Sequence, residues 1–210
     1  IMSKNEIDYK LCADYLSKRD SKLEQLVRKH GIVKLPPKED PFTKFIKIIV
    51  NQQLSNKAAS TIFSRLQSRI STFNPTNIKK LDNNVFREAG ISKQKASYIK
   101  NIAKIFIDNK KIKKHLDSLD DLKLEKFLTS IKGLGQWSSS MYMMFNMHRL
   151  DIFTYGDVAL NKSIKQIYNI DVKNKSDIPK LKKLEILWSP YKTIACLYLW
   201  KYIDSDESFL

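Results

Sequence analysis

The stretch from Leu128 to Leu160, LTSIKGLGQWSSSMYMMFNMHRLDIFTYGDVAL, carries the residue types best suited to chemistry. Three of the five glycines fall within it: Gly133, Gly135 and Gly156. An apolar helix ends near Ile131, Gly133-Leu134-Gly135 makes a tight turn, and a second helix runs from about Gln136 to about Met147. Two glycines around one apolar residue allow positive φ and a close approach of backbone to a partner. The amides at the start of the second helix then suit an anion such as a phosphate. Asp157 follows, just past Gly156, with no other acid nearer than Asp151. A lone carboxylate can stabilise developing positive charge and can orient or deprotonate a water. It can equally N-cap a helix beginning at Val158.

The elements that must position these residues read as helices throughout. Ile7–Lys18 and Ser21–His30 are amphipathic, the second with Leu23, Leu26 and Val27 on one face. Pro41 opens a helix whose inner face is Phe42, Phe45, Ile46 and Ile49. That helix runs into Asn51-Gln52-Gln53-Leu54-Ser55, where Ser55 can cap the next one, with Ala58, Ala59, Ile62, Phe63, Leu66 and Ile70 inside. One or two short helices follow over Asn77–Ala89, then a turn at Gly90-Ile91-Ser92 and a longer helix over Lys93–Asp108. Lys110–Lys114 reads as a loop or short turn, and Asp117 or Ser118 as the cap of the helix entering the glycine turn. Beyond Asp157 lie helices over Leu160–Tyr168, Pro179–Leu187 and Pro190–Ile203. No persuasive period-2 strand appears, so the expected fold is all-α.

Composition bounds the function. With 210 residues and 42% hydrophobic content, the chain can bury a sizeable core. A net charge of +16 favours a polyanionic partner, nucleic acid first. The same Lys-, Asn- and Ile-rich composition also fits an AT-rich genome, so charge alone does not assign that partner. Cys12 and Cys196 lie far apart in apolar helical patterns, which argues against a disulfide framework or a thiolate metal site. His30, His115 and His148 are dispersed without metal-ligand spacing, so no metal is expected. No apolar run is long enough to span a bilayer, and the N-terminal IMSKNEIDYK is not followed by the hydrophobic segment of a signal peptide. An intracellular protein is expected, in cytoplasm or nucleoid if bacterial and in the nucleus if eukaryotic.

Five segments in order carry a resemblance: Phe45–Ser55 with NQQLS followed by KAASTIFSRL, Gly90-Ile91-Ser92 with Lys93 and Lys95, IKGLGQWSSSM, RLDIFTYGD, and WSPYKTIACLYLW from Trp188 to Trp200. Together they resemble the helix-hairpin-helix (HhH-GPD) DNA glycosylase superfamily, most closely its 3-methyladenine DNA glycosylase II (AlkA/Mag-type) branch. The resemblance covers roughly Pro41 to Ile203. It implies removal of damaged bases from double-stranded DNA by hydrolysis of the N-glycosidic bond after base flipping, with alkylated purines such as 3-methyladenine and 7-methylguanine as substrates.

Roles follow by the same resemblance. Asp157 takes the catalytic position, stabilising an oxocarbenium-like transition state and positioning water. Bifunctional relatives carry a Schiff-base lysine two residues after the second hairpin glycine; here Trp137 stands there, so a monofunctional enzyme without AP lyase activity is expected. The iron–sulfur branch needs four clustered cysteines, which this chain lacks. Trp137, Tyr191 and Tyr155 are candidates for the base pocket, where a cationic purine would stack on aromatic faces. Met141 stands where some relatives carry a pocket tyrosine, with Tyr142 beside it. Trp188 and Trp200 read as core. The wedge that fills the gap left by the flipped base comes from Gln52-Gln53-Leu54, with Gln53 favoured; a helix-capping role is the alternative for these glutamines. Gly133, Gly135, Gln136, Trp137 and Ser138 would grip phosphate, joined by Ser55, Lys93 and Lys95. No cofactor is expected, apart from a possible monovalent cation under the hairpin.

The resemblance also implies a two-lobed helical fold over residues 1–210, with the active-site cleft between lobes. Lobe one is expected over about residues 41–115, and lobe two over 1–40 plus 116–210, including the hairpin at 128–147. Some relatives have an N-terminal β-rich domain; the residues before Pro41 look helical instead, and are expected to pack beside the C-terminal segment. The protein is expected to act as a monomer. Two alternatives stay open: a glycosylase for oxidised or deaminated bases, and a non-catalytic helix-hairpin-helix protein that binds DNA.

Overall fold

Side chains set most of the helix starts. Asp8, Asp20, Asp40, Ser55, Asn74, Asp82, Ser92, Asp120 and Asp157 each accept a backbone N–H from the first turn of the helix that follows. Each thereby supplies an acceptor to donors that a helix cannot pair internally. The computed structural model describes residues 6–205, and all its elements there are helical. They are α1 (Tyr9–Arg19), α2 (Ser21–His30), α3 (Pro41–Asn51), α4 (Asn56–Ser68), α5 (Pro75–Lys80), α6 (Asn83–Ala89), α7 (Lys93–Asp108), α8 (Ile112–Ser118), α9 (Asp121–Ser130), α10 (Gln136–Phe145), α11 (Val158–Tyr168), a 3-10 turn at Lys175–Asp177, α12 (Ile178–Trp188) and α13 (Lys192–Ser205). Among the described residues no helix is long and apolar enough to cross a membrane. Residues 1–5 of the N-terminal segment discussed above lie outside the described residues.

The chain folds as two units, residues 37–148 and residues 1–36 with 149–210. In the first, the buried face of α3 (Phe42, Phe45, Ile46, Ile49) packs on α7, whose inner residues are Ala96, Ile99, Ile102 and Ala103. Phe106 meets Phe42 edge-on at 5.4 Å, and Phe45 stacks on Tyr142 of α10 at 4.0 Å with planes 10° apart. Here the structure moves the expected boundary. Residues 116–148, including the hairpin, group with 37–115 in one unit, within which α10 packs on α3 and α9.

Two further expectations shift. The Lys110–Lys114 run is partly helical, since Ile112 and Leu116 bury one side of α8. The cap of α9 is Asp120 and neither Asp117 nor Ser118, which both belong to α8.

In the second unit the N-terminal helices do pack with the C-terminal ones, α2 on α13 and α1 on α12 and α13. Asp20 ties them together. It is buried in the corner between α1 and α2; its Oδ1 accepts the backbone N–H groups of Lys22 (2.9 Å) and Leu23 (3.2 Å). Its Oδ2 accepts the Tyr168 hydroxyl and the Trp188 indole N–H, both at 2.8 Å. Tyr168 ends α11 and Trp188 ends α12, so one carboxylate fixes three helix termini. A buried carboxylate is tolerated because each of its oxygens is hydrogen-bonded. Burial and the adjoining Asp20 charge push the Tyr168 phenol well above its ordinary range, which keeps it a donor.

Asp20→Ala removes the acceptor of four donors and should lower stability by about 2–4 kcal/mol. Tyr168→Phe removes one donor from a well-satisfied acceptor and should cost about 1 kcal/mol. Thermal unfolding of both variants checks the order.

Candidate active site

Asp157 sits at the end of the loop stretch 149–157 that leads into α11. The start of that loop is held by Thr193, fully buried near the beginning of α13. Its backbone N–H donates to the Leu150 carbonyl (2.9 Å), its hydroxyl donates to the Arg149 carbonyl (2.7 Å), and the same oxygen accepts the Ile152 N–H (3.2 Å). The loop then turns at Gly156, with φ +79°, and Asp157 caps α11. Asp157 Oδ1 accepts the Leu160 N–H at 2.8 Å and the Trp200 indole N–H at 2.9 Å. Capping and a second hydrogen bond therefore coexist on one oxygen and fix the plane of the half-buried carboxylate.

Trp200 corrects the expectation that it is core. It is only partly buried, and its donor is spent on Asp157; Trp188, by contrast, is fully buried. The signal was present in the sequence: Thr193, Cys196 and Trp200 recur at helical spacing on one face of α13, the face turned to the Asp157 loop and α11.

Tyr155, two residues before Asp157, is partly exposed and anchored to α12. Its hydroxyl donates to the Glu185 carboxylate (2.6 Å) and accepts from Lys182 Nζ (2.5 Å), and its ring meets Phe153 edge-on at 5.0 Å. Burial first, then Glu185, push this phenol above its ordinary value, so it remains a neutral donor. Tyr191 stands immediately before α13. It packs edge-on against Tyr15 at 5.0 Å and lines an open cavity of about 390 Å³ with Asp8, Leu11, Cys12 and Leu150. Its neighbours are thus those of α1.

In the other unit, α9 ends at Ser130 and the chain turns through Gly133 (φ +102°) into α10. Only the first hairpin glycine takes positive φ; Gly135 is extended, with φ −88°. The two serve different ends. A Cβ on Gly133 would lie 2.4 Å from Tyr98 Cγ, so its absence lets the hairpin close on α7. A Cβ on Gly135 would meet nothing within 4 Å, and no side chain caps α10, which leaves the approach to its first turn open. Gln136 is exposed and its amide donates to Glu125 Oε1 (3.0 Å), stapling α10 to α9. Trp137 is half-buried in the first turn of α10.

Several residues expected at substrate or phosphate are turned elsewhere. Tyr142 is fully buried against Phe45 and belongs to the core, because it is displaced around α10 from the face shared by Trp137 and Met141. Met141 is buried as well. Ser138 is buried, and its hydroxyl accepts from Gln52 Nε2 at 2.9 Å. The Gln52 amide also donates to the Gly133 carbonyl at 2.8 Å, so Gln52 ties the end of α3 to the hairpin. Lys95, expected at phosphate with Lys93, donates instead to the Val50 (2.8 Å) and Gln52 (2.7 Å) carbonyls. Burial lowers the pKa of its ammonium, as desolvation requires. Lys93 is exposed at the first position of α7. Ser55 caps α4 through the Ala58 N–H (3.3 Å), and Gln53 projects into solvent with φ +58°.

Gly133→Ala meets both a left-handed backbone, at about 1–2 kcal/mol, and the Tyr98 ring. It should destabilise the protein clearly, whereas Gly135→Ala should leave thermal stability nearly unchanged; parallel melts of the two variants check this contrast.

Comparison with known proteins accounts for this arrangement. Residues 46–190 match the family model for HhH-GPD superfamily base excision DNA repair proteins. The chain is 32% identical, over 95% of its length and 96% of the relative's, to the alkylbase DNA glycosidase-like protein mag2 of Schizosaccharomyces pombe. It is similar in structure to a DNA-3-methyladenine glycosidase from Bacillus halodurans, with 34% identity, TM-score 0.75, and 93% and 90% of the two chains covered. It is also similar to the 3-methyladenine DNA glycosylase Mag1 of S. pombe in complex with abasic DNA, with 28% identity, TM-score 0.80, and 92% and 97% covered. The chain belongs to the HhH-GPD superfamily of base excision DNA repair proteins, in its AlkA/Mag-type branch.

Proposed function

We propose that this protein is a monofunctional DNA glycosylase that excises alkylated purines, 3-methyladenine and 7-methylguanine, from double-stranded DNA. The observation that carries the reading is the doubly held carboxylate of Asp157, the residue to which the family resemblance assigns the role of catalytic acid. Breaking an N-glycosidic bond builds positive charge on the sugar. A carboxylate about 4 Å away, at an effective dielectric of about 20, lowers that charge's energy by about 4 kcal/mol. This corresponds to about a thousandfold in rate. Asp157 also orients the attacking water, and Trp200 and Leu160 keep its carboxylate from rotating away.

The remaining roles support the same chemistry. The open first turn of α10, begun by Gln136 and preceded by Gly133 and Gly135, suits a phosphate of the DNA backbone. Trp137 offers an indole face to a cationic purine and no amine to form an imine with the sugar, so the product is an intact strand bearing an abasic site. Gln53 is the wedge, and Lys93 adds a phosphate contact. Tyr155 lines the approach to Asp157, and the protein works as a monomer.

The test is release of 3-methyladenine and 7-methylguanine from alkylated duplex DNA, with strand integrity scored before and after alkali. Wild type should release both bases and give nicks only after alkali. Asp157→Asn should slow release about a thousandfold, while Trp200→Phe, which keeps a ring but loses one hydrogen bond, should lower kcat about tenfold. Full activity in Asp157→Asn, or tight DNA binding by wild type without any base release, would overturn the reading.

A further inference from the structure

The turn between α3 and α4 has an unusual conformation for its residues. Asn51, Gln52, Gln53 and Leu54 form a turn closed by the Leu54 N–H on the Asn51 carbonyl at 3.1 Å. Gln52 has φ −50° and ψ 124°, and Gln53 has φ +58°. These are the angles of a type II turn, which calls for Gly or Asn at its third position. Gln53 stands there instead, in the left-handed region that L side chains avoid. A type I turn would connect the same ends and relieve Gln53, and it differs mainly by a flip of the Gln52–Gln53 peptide.

Lys95 opposes that flip. Its ammonium holds the Gln52 carbonyl at 2.7 Å and the Val50 carbonyl at 2.8 Å, spanning the end of α3. These carbonyls lie at the negative end of the helix and lack helical partners, so a cation fits them well. On the other side the Gln52 amide is bound to Gly133 and Ser138. The backbone of Gln52 is thus pinned to α7 and its side chain to the hairpin, and Gln53 is left exposed at the apex.

We infer that Lys95 is a positioning residue that locks the Gln52–Gln53 peptide in its type II orientation and so presents Gln53 to the duplex, and that it makes no phosphate contact. This rests on the glycosylase reading, in which Gln53 fills the space vacated by the flipped base. The two lysines of this block then divide the work: Lys93 meets the DNA backbone and Lys95 holds the wedge.

Salt dependence separates the two roles, since each neutralised phosphate contributes about 0.9 to the slope of log K against log salt. Binding would be measured over a KCl series on a duplex with a tetrahydrofuran abasic analogue flanked by 2-aminopurine, whose fluorescence reports unstacking. Single-turnover release of 7-methylguanine would be followed alongside. Lys93→Met should lower the slope by about 0.9. Lys95→Met should leave the slope at the wild-type value, weaken the 2-aminopurine signal and slow base release about tenfold. Lys95→Gln, which loses the charge but can still donate to a carbonyl, should keep the wild-type slope and most of the release; it also serves if the Met variant fails to fold. A slope lowered by about 0.9 in either Lys95 variant, or Lys95→Met with normal fluorescence and release, would overturn the inference. Absence of base release by wild type would sink the glycosylase reading instead, while the slope and fluorescence would still judge Lys95.

Discussion

The stack of Tyr142 on Phe45 is the contact on which the unit of residues 37–148 depends. It presses α10 onto α3, and the placement of the hairpin beside α3 and α7 follows from that packing. With α10 seated, the hairpin closes onto α7 only because Gly133 has no Cβ to meet Tyr98. The end of α3 then lies beside the hairpin, and Gln52 can reach both the Gly133 carbonyl and Ser138. An aromatic pair of this kind adds about 0.5–1.5 kcal/mol beyond the area it buries. Its larger effect is geometric, since it sets the register in which the polar contacts form.

The unit formed by the two chain ends uses polar atoms for the same purpose. Asp20 gathers the start of α2 and the ends of α11 and α12, and Thr193 gathers the loop that leads to Asp157. Both side chains are buried with their hydrogen-bonding capacity used, so they hold the backbone without the cost of an unpaired polar group. The catalytic candidate inherits this order. Leu160 and Trp200 bind one oxygen of Asp157 from two different helices, and displacing either α11 or α13 would turn the carboxylate. Sites that must be accurate to a fraction of an ångström are built in this way.

Much of this was legible in the sequence. Apolar spacing gave α2, α3, α4 and α7 nearly to the residue, and Ser55, Asp157, Pro41 and Gly90 marked helix ends through local chemistry that needs no tertiary partner. The glycine pair and the acid after Gly156 located the hairpin and Asp157, because close approach and an isolated carboxylate leave a trace in residue type. Periodicity alone could not say which side of α10 is buried. Trp137, Met141 and Tyr142 are all large and apolar, and only the packing on α3 turned Tyr142 inward. The same holds for Trp200, whose indole looks like core until its N–H is found on Asp157.

Residue type determined which groups could be charged, which could cap and where the backbone could bend. The tertiary structure decided which of the lysines, glutamines and serines still face outward. Lys93 and Lys95 are two residues apart with the same side chain. A helix turns them about 200° from one another, so one is exposed at the surface and the other is spent on the carbonyls of α3. Sequence fixes the donors; only the fold, by bringing α7 against the end of α3, determines what they are given to.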